Sequence, residues 1–227
     1  MLRQSLAQLR LYSHKIDLTQ AFDFLPATSS DLPDIVDFCT GSFIKEEPHS
    51  RALGMKPETS KPLFEYIAAK YLHYPYSYRV HEKGTKNLIG VRLLSIGHRD
   101  YSLDVEPIPF VTPTDPAVAR MCEILDQSKD ALWKALDSSI NKVVVREITH
   151  IVPRHQRKGI ANYLLHLGLD FVQLRKQGIQ GITSEASSQA NQSLLAKNGY
   201  KCIYTPNYKL KMDDGTKTIM VYFKDLR

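Results

Sequence analysis

Leu32, Ile35, Val36 and Cys39 fall at helical spacing behind Ser29, Ser30 and Asp31, residues that favour a helix N-cap, so the pattern predicts a first helix there. Residues 63–71 (LFEYIAAKY) predict a second. Between the two, Pro48 breaks whatever precedes it and leaves IKEEPHS as a charged segment at a helix end. Ahead of them, residues 17–26 alternate weakly and predict a strand. Residues 76–82 and 88–96 are strand-like runs around a Lys-Gly-Thr-Lys turn, hence a hairpin.

Four prolines between Pro107 and Pro116 predict a loop, with Pro116 opening a helix that runs to about residue 138. Residues 143–151 are rich in β-branched side chains and end at Pro153. From 159 to 177, Ile160, Leu164, Leu167, Phe171 and Leu174 share one face and predict a single long helix, with Gly178 just past its end. A strand at 179–183, a helix at 188–197 closed by Asn198-Gly199, a strand at 201–204 and a last strand at 218–223 complete the order. Helices around a strand-rich middle predict an α/β (α+β) fold.

The 227 residues show no repeat and no linker, which predicts one domain over 17–227 preceded by an extension, 1–16. Hydrophobic residues at 43% and charged ones at 24% exclude disordered and coiled-coil classes. No run approaches the roughly 18–20 apolar residues that cross a bilayer, so no membrane partner is expected. Cys39, Cys122 and Cys202 are scattered without CxxC spacing and read as reduced thiols, with no metal site. The net charge of +6 is partly local, since Arg3, Arg10 and Lys15 precede the first acid, Asp17. The remaining positives are interleaved with acids, which argues against a nucleic-acid partner. The extension itself, with Leu2, Leu6 and Leu9 on one face and no acid, has the composition of a mitochondrial transit peptide. The alternative is a short helix packed on the domain of a cytoplasmic protein.

One junction carries chemistry. The strand VVVREITHI passes through an Arg/Lys-rich loop with Gly159 into an amphipathic helix. The first N–H groups of such a helix lack intrahelical acceptors and carry partial positive charge. Gly159 and Ala161 leave the backbone open to a ligand, and Arg154, Arg157 and Lys158 add full charge, which suits a pyrophosphate. There is no GK[ST] of a Walker loop and no GxGxxG.

Gln156-Arg157-Lys158-Gly159-Ile160-Ala161 fits Q/R-x-x-G-x-G/A and resembles the coenzyme A loop of the GNAT superfamily of N-acetyltransferases. The order of elements is similar to that family from about Asp17 to the C-terminus, including a Lys-Asn-Gly199-Tyr200 turn after the last helix; the helix between the hairpin and Val143 is a departure. Within the superfamily the chain resembles the arylalkylamine N-acetyltransferases of insect type, through Phe43-Ile44-Lys45-Glu46-Glu47-Pro48. The resemblance implies a mixed, mostly antiparallel sheet flanked by helices. It also implies acetyl-CoA as co-substrate, held by Ile151, Val152, Gln156, Arg157, Lys158, Gly159, Ile160, Ala161 and Asn191.

On the same grounds Glu47 matches the glutamate proposed as general base in that group. Ser187 matches the first of two family serines, and Asn191 stands at the second. Glu147 is a further candidate base: it interrupts an apolar strand, where an unpaired carboxylate is costly to bury. If Val143, Val145 and Glu147 share a face, Arg146 and Ile148 point the other way. His150, a residue type that titrates near neutrality, could relay a proton; its expected place is at the strand end, hydrogen-bonded to backbone. Leu195 occupies the place of the tyrosine that many GNAT enzymes use to protonate the leaving thiolate, so Ser187, Ser188 or a water must serve. The tyrosines at 71, 74, 76, 78, 204 and 208 suit an aromatic substrate side as well as a core.

The expected activity is transfer of the acetyl group of acetyl-CoA to a small arylalkylamine or related amine, by direct attack in a ternary complex. The enzyme is expected to be a monomer or weak homodimer. A peptide N-acetyltransferase and a catalytically silent CoA-binding domain are the alternatives.

Overall fold

Seven strands of the computed structural model, which describes residues 17–227, form one sheet in the order β1-β2-β3-β4-β5-β7-β6. They are β1 Phe22–Pro26, β2 Tyr78–Glu82, β3 Leu88–His98, β4 Lys142–Ile151, β5 Gly181–Ala186, β6 Lys201–Tyr204 and β7 Met220–Asp225. Every neighbouring pair is antiparallel except β4–β5. The expected extension at 1–16 lies outside the described residues.

The helices are α1 Leu32–Phe38, α2 Pro48–Leu53, α3 Pro57–Leu72, α4 Pro116–Ala135, α5 Ile160–Leu164, α6 Phe171–Lys176 and α7 Gln189–Lys197. A helical turn, Leu18–Ala21, replaces the start of the expected first strand. Pro48 does not merely end a helix: it opens α2, with Glu47 as its N-cap. On one face of the sheet, Ile35, Leu63, Phe64, Ile67 and Met121 pack on Leu93 and Ile148. On the other, Leu165, Leu174, Leu195 and Tyr200 pack on Leu94, Ile96 and Val144. These are the faces that the helical spacing marked, and their burial supplies most of the driving force for folding.

The single helix expected over 159–177 is two. Gly168 has φ +69°, and a Cβ there would meet the Tyr78 hydroxyl at 2.4 Å. At the break the Leu164 and Leu167 (2.8 Å) carbonyls accept from Arg92, buried on β3, which also donates to the Tyr76 carbonyl (2.6 Å) ahead of β2. The apolar spacing runs through the break although the halves pack in different clusters, Ile160, Leu164 and Leu167 beside Phe22 and Val80, and Phe171 and Leu174 beside Leu94 and Ile179, so periodicity alone does not reveal it.

Strand β4 also departs from simple alternation. Leu93 pairs with Ile148 and Leu94 with Arg146, leaving Glu147 as an extra residue. This β-bulge puts Val145 and Ile148 in the same cluster instead of on opposite faces. Arg146 does turn away, as expected, but Ile148 does not.

Candidate active site

The parallel pairing of β4 with β5 ends at Arg146 and Ser184, and past that point no residue of β4 pairs with β5. The next residue of each strand is a glutamate, Glu147 on β4 and Glu185 on β5. Three cavities meet at these two side chains. A groove of about 570 Å³ runs along the Gly159 loop and the start of α7. A cleft of about 360 Å³ lies between α3, α4 and the strands. A cavity of about 50 Å³ lined by Phe43, Glu47, Phe64 and Ser187 lies between them.

The groove wall contains Ile151, Gln156, Arg157, Gly159, Ile160, Ala161, Ser187 and Asn191. Gly159 (φ +89°) is the N-cap of α5 and caps it with no side chain. A Cβ there would meet nothing within 4 Å, so the backbone faces open space. Gln156 Nε2 donates to the Ile151 carbonyl (2.8 Å) and ties the loop to β4. Lys158 Nζ lies 3.2 Å from His155 Nδ1, and Asn191 Oδ1 accepts from Arg146 (3.1 Å). Val152 is placed otherwise: its N–H donates to Ile89 and its side chain packs towards Phe22.

Glu47 borders the groove but is heavily engaged. It is 6% exposed. Oε1 accepts from the His49 amide (3.0 Å) and lies 3.3 Å from His49 Nδ1, and Oε2 accepts from the Ser50 amide (2.5 Å). Burial pushes its pKa up, but the His49 ring and the amide donors together outweigh burial and hold it below the usual value. His49 is itself fixed, 2.6 Å from the Tyr208 hydroxyl, which accepts from the Ile219 amide.

Glu147 is differently held. Its Oε2 accepts from the Tyr71 hydroxyl (2.5 Å), and this donor sits on the long α3 helix. Glu185 is half-buried, and its Oε2 is covered and has no hydrogen-bond partner among the described residues. Burial first and Glu147 second push its pKa up to about 8, against the pull of Lys129. Lys129, on α4, is held charged: burial disfavours its ammonium, but Glu147, Glu185 and Asp126 outweigh that. Sequence reasoning missed Glu185 and Lys129. A single charged residue, two positions before Ser187 in the otherwise uncharged strand Gly181–Ala186, was the available signal.

His150 donates to or accepts from Ser42 Oγ (2.9 Å) between Phe38 and Phe43, and burial lowers its pKa to about 4. It is neutral at physiological pH, held by a side chain rather than by the backbone. Ser188 caps α7 by accepting from the Asn191 amide. Leu195 is fully buried. Of the tyrosines singled out in the sequence, Tyr71 lines the cleft, together with Tyr66, Tyr101 and Trp133. Tyr74 and Tyr76 pack on the core, and Tyr78 lies against the Arg92 guanidinium.

The cleft is strongly acidic. Asp104, Glu106, Asp126, Asp130, Glu147 and Glu185 face two lysines, Lys70 and Lys129. Lys70 is tied to Glu106 (2.5 Å). The remaining field attracts a cation. Among the described residues no helix is long and apolar enough to cross a membrane and no cluster has the makings of a metal site. Cys39, Cys122 and Cys202 are free.

No protein-family model and no curated protein sequence matches the chain. Solved structures do. Arylalkylamine N-acetyltransferase 2 from Aedes aegypti superposes with TM-score 0.73 at 18% identity, over 91% of this chain and 99% of that one. The Drosophila melanogaster polyamine N-acetyltransferase, an enzyme that forms N-acetylagmatine, gives 0.69 at 11% identity, over 90% and 99%. The C-terminal condensation domain of Ebony, in complex with β-alanyl-dopamine, gives 0.66 at 15%, over 90% and 98%. With the parted β4 and β5 and the groove at the Gly159 loop, these superpositions show that the chain has the fold of the GNAT N-acetyltransferases.

Proposed function

We propose that the protein is an acetyl-CoA-dependent N-acetyltransferase acting on a small arylalkylamine or related amine. The observation that carries this reading is the meeting of two differently built cavities at one pair of carboxyl groups, where β4 and β5 part. One has the unoccluded backbone and basic side chains that suit a diphosphate. The other has the acidic, aromatic lining that suits an aryl ammonium. A cleft of about 360 Å³ fits a small ligand, which favours a small amine over a peptide. The structural neighbours named for arylalkylamines and for a polyamine support an amine acceptor.

In this reading Gln156, Arg157, Gly159, Ile160 and Ala161 hold the diphosphate, and the thioester lies at the opening between the strands. An alkylamine is mostly ammonium at neutral pH, with a pKa near 10.4, so a carboxylate must take its proton before or during attack. Glu147 fits that task. It borders both cavities and keeps oxygen surface free beside the single Tyr71 contact, whereas each Glu47 oxygen accepts a backbone N–H of α2. The nitrogen then forms its bond to the carbonyl carbon, the C–S bond breaks, and CoA leaves as the thiol. No covalent enzyme intermediate is needed, and Cys202 lacks an activating base: its Sγ neighbours are the Tyr204 carbonyl and Thr205.

The test is a panel of arylalkylamines, diamines and short peptides with acetyl-CoA, read as free thiol release. Turnover of small amines with intersecting initial-rate lines is expected. Turnover of peptides alone moves the reading to a protein N-acetyltransferase. Calorimetric CoA binding with no turnover on the whole panel makes the chain a silent CoA-binding domain.

A further inference from the structure

The place of the usual acid is filled by Leu195, which is fully buried on the far face of the sheet and has no proton to give. Ser188 is occupied as a helix cap. Yet Glu185 stands one residue beyond the last β4–β5 pair, borders the groove and the cleft alike, and has one carboxyl oxygen, Oε2, that is covered and without a hydrogen-bond partner among the described residues. A buried carboxyl oxygen without a donor is costly as an anion and far less so as an acid. Its neighbour Glu147 is held differently, since the Tyr71 hydroxyl donates to its Oε2. Two carboxyl groups so arranged are best served by one proton between them, resident on Glu185.

We propose that Glu185 is the general acid that protonates the departing thiolate, while Glu147 takes the proton of the attacking amine. The inference rests on the acetyl-transfer reading above. The lone pair of the amine forms the C–N bond and the C–S pair goes to sulfur. The amine has by then given up its ammonium proton, through Glu147 to solvent; the Glu185 O–H proton passes to sulfur and the N–H proton lost on acylation passes to Glu147. Amine and thioester thus become amide and thiol, and a proton moving from Glu147 to Glu185 restores the pair.

The groups that face Glu185 are Glu147 from β4, Lys129 and Asp126 from α4 and, through Glu147, Tyr71 from α3. Burial and Glu147 outweigh Lys129, and both favour the protonated form of the carboxyl. The work of Lys129 is to keep the remaining negative charge of the pair tolerable in a half-buried place.

The experiment compares wild type with Glu185→Gln and Glu185→Asp, using the amine that the wild type turns over and two acetyl donors. One donor is acetyl-CoA; the other is an acetyl thioester of a more acidic thiol, which leaves without help. With acetyl-CoA, Glu185→Gln should lose about 100-fold in kcat, Glu185→Asp less, and the Kd of CoA by calorimetry should stay unchanged. The alkaline fall of wild-type kcat should vanish in Glu185→Gln, and the loss should shrink with the activated donor. Full kcat in Glu185→Gln, or an equal loss on both donors, overturns the assignment and leaves acetyl transfer standing. A wild type inert towards every amine overturns both. Should Glu185→Gln fail to fold, infrared titration of the wild type decides: a carboxylic-acid carbonyl band present at neutral pH and lost under alkaline conditions is expected, and its absence overturns the proposal.

Discussion

Glu47 and the pair Glu147–Glu185 are carboxyl groups around the same small cavity, and they are built for different work. Glu47 sits at the start of a helix, its oxygens filled by two backbone amides and beside an imidazole. That arrangement stabilises the anion and satisfies orphan donors of α2, as an N-cap does. The pair stands where two strands part, with one hydroxyl donor on Glu147 and none on the covered oxygen of Glu185. The proposed division between a structural Glu47 and a reactive pair therefore rests on the number of donors already committed to each carboxyl group, more than on distance from the groove.

The comparison breaks most directly at Glu147. Glu147→Gln should lower kcat about 1,000-fold, within the usual span for removal of a general base, with little change in CoA affinity. The measurement is kcat and KM on purified variant and wild type. Tyr71→Phe comes next. It removes a hydrogen bond that holds the Glu147 carboxyl in place, worth about 1.5 kcal/mol, and should lower kcat about tenfold with CoA affinity unchanged, read by the same kinetics.

Glu47→Gln should show the reverse balance: kcat close to wild type and a stability loss of about 1 kcal/mol, read by thermal unfolding. Because the folded pKa of Glu47 lies below its unfolded value near 4.5, its contribution is complete above that pH and fades as pH falls through the folded value. The melting gap between variant and wild type should therefore be constant near neutrality and close in acid. Glu185 has the opposite sign. Its folded pKa is raised to about 8 from 4.5, so wild-type stability falls as pH climbs through that window and levels off above it. Glu185→Gln should accordingly gain on wild type in melting temperature across the same window.

Much of this was legible in the sequence. The apolar spacing located the helices around residues 32–39 and 63–71, because each buries one face on the sheet; Pro116 marked the start of the helix to about 138, a turn marked the hairpin and β-branched residues the strand 143–151. The Gly159 loop was legible because its residue types have few other uses together. The break in the 159–177 helix was not, since it depends on Arg92 arriving from β3 to donate to the Leu164 and Leu167 carbonyls. Nor was the bulge at Glu147, which exists only as a mismatch of register with β3. Glu47 carried the strongest motif, Phe43 to Pro48, and the motif holds as local structure: the acid caps the helix that its proline opens. Glu185 escaped notice because nothing in a strand such as GITSEA says that its partner strand has already parted from it.

The sharpest test sets Glu147→Gln beside Glu47→Gln in one assay, with acetyl-CoA and the best amine of the panel at neutral pH. The account predicts that Glu147→Gln is nearly inactive while Glu47→Gln retains most of kcat. Equal losses, or a larger loss in Glu47→Gln, would contradict it.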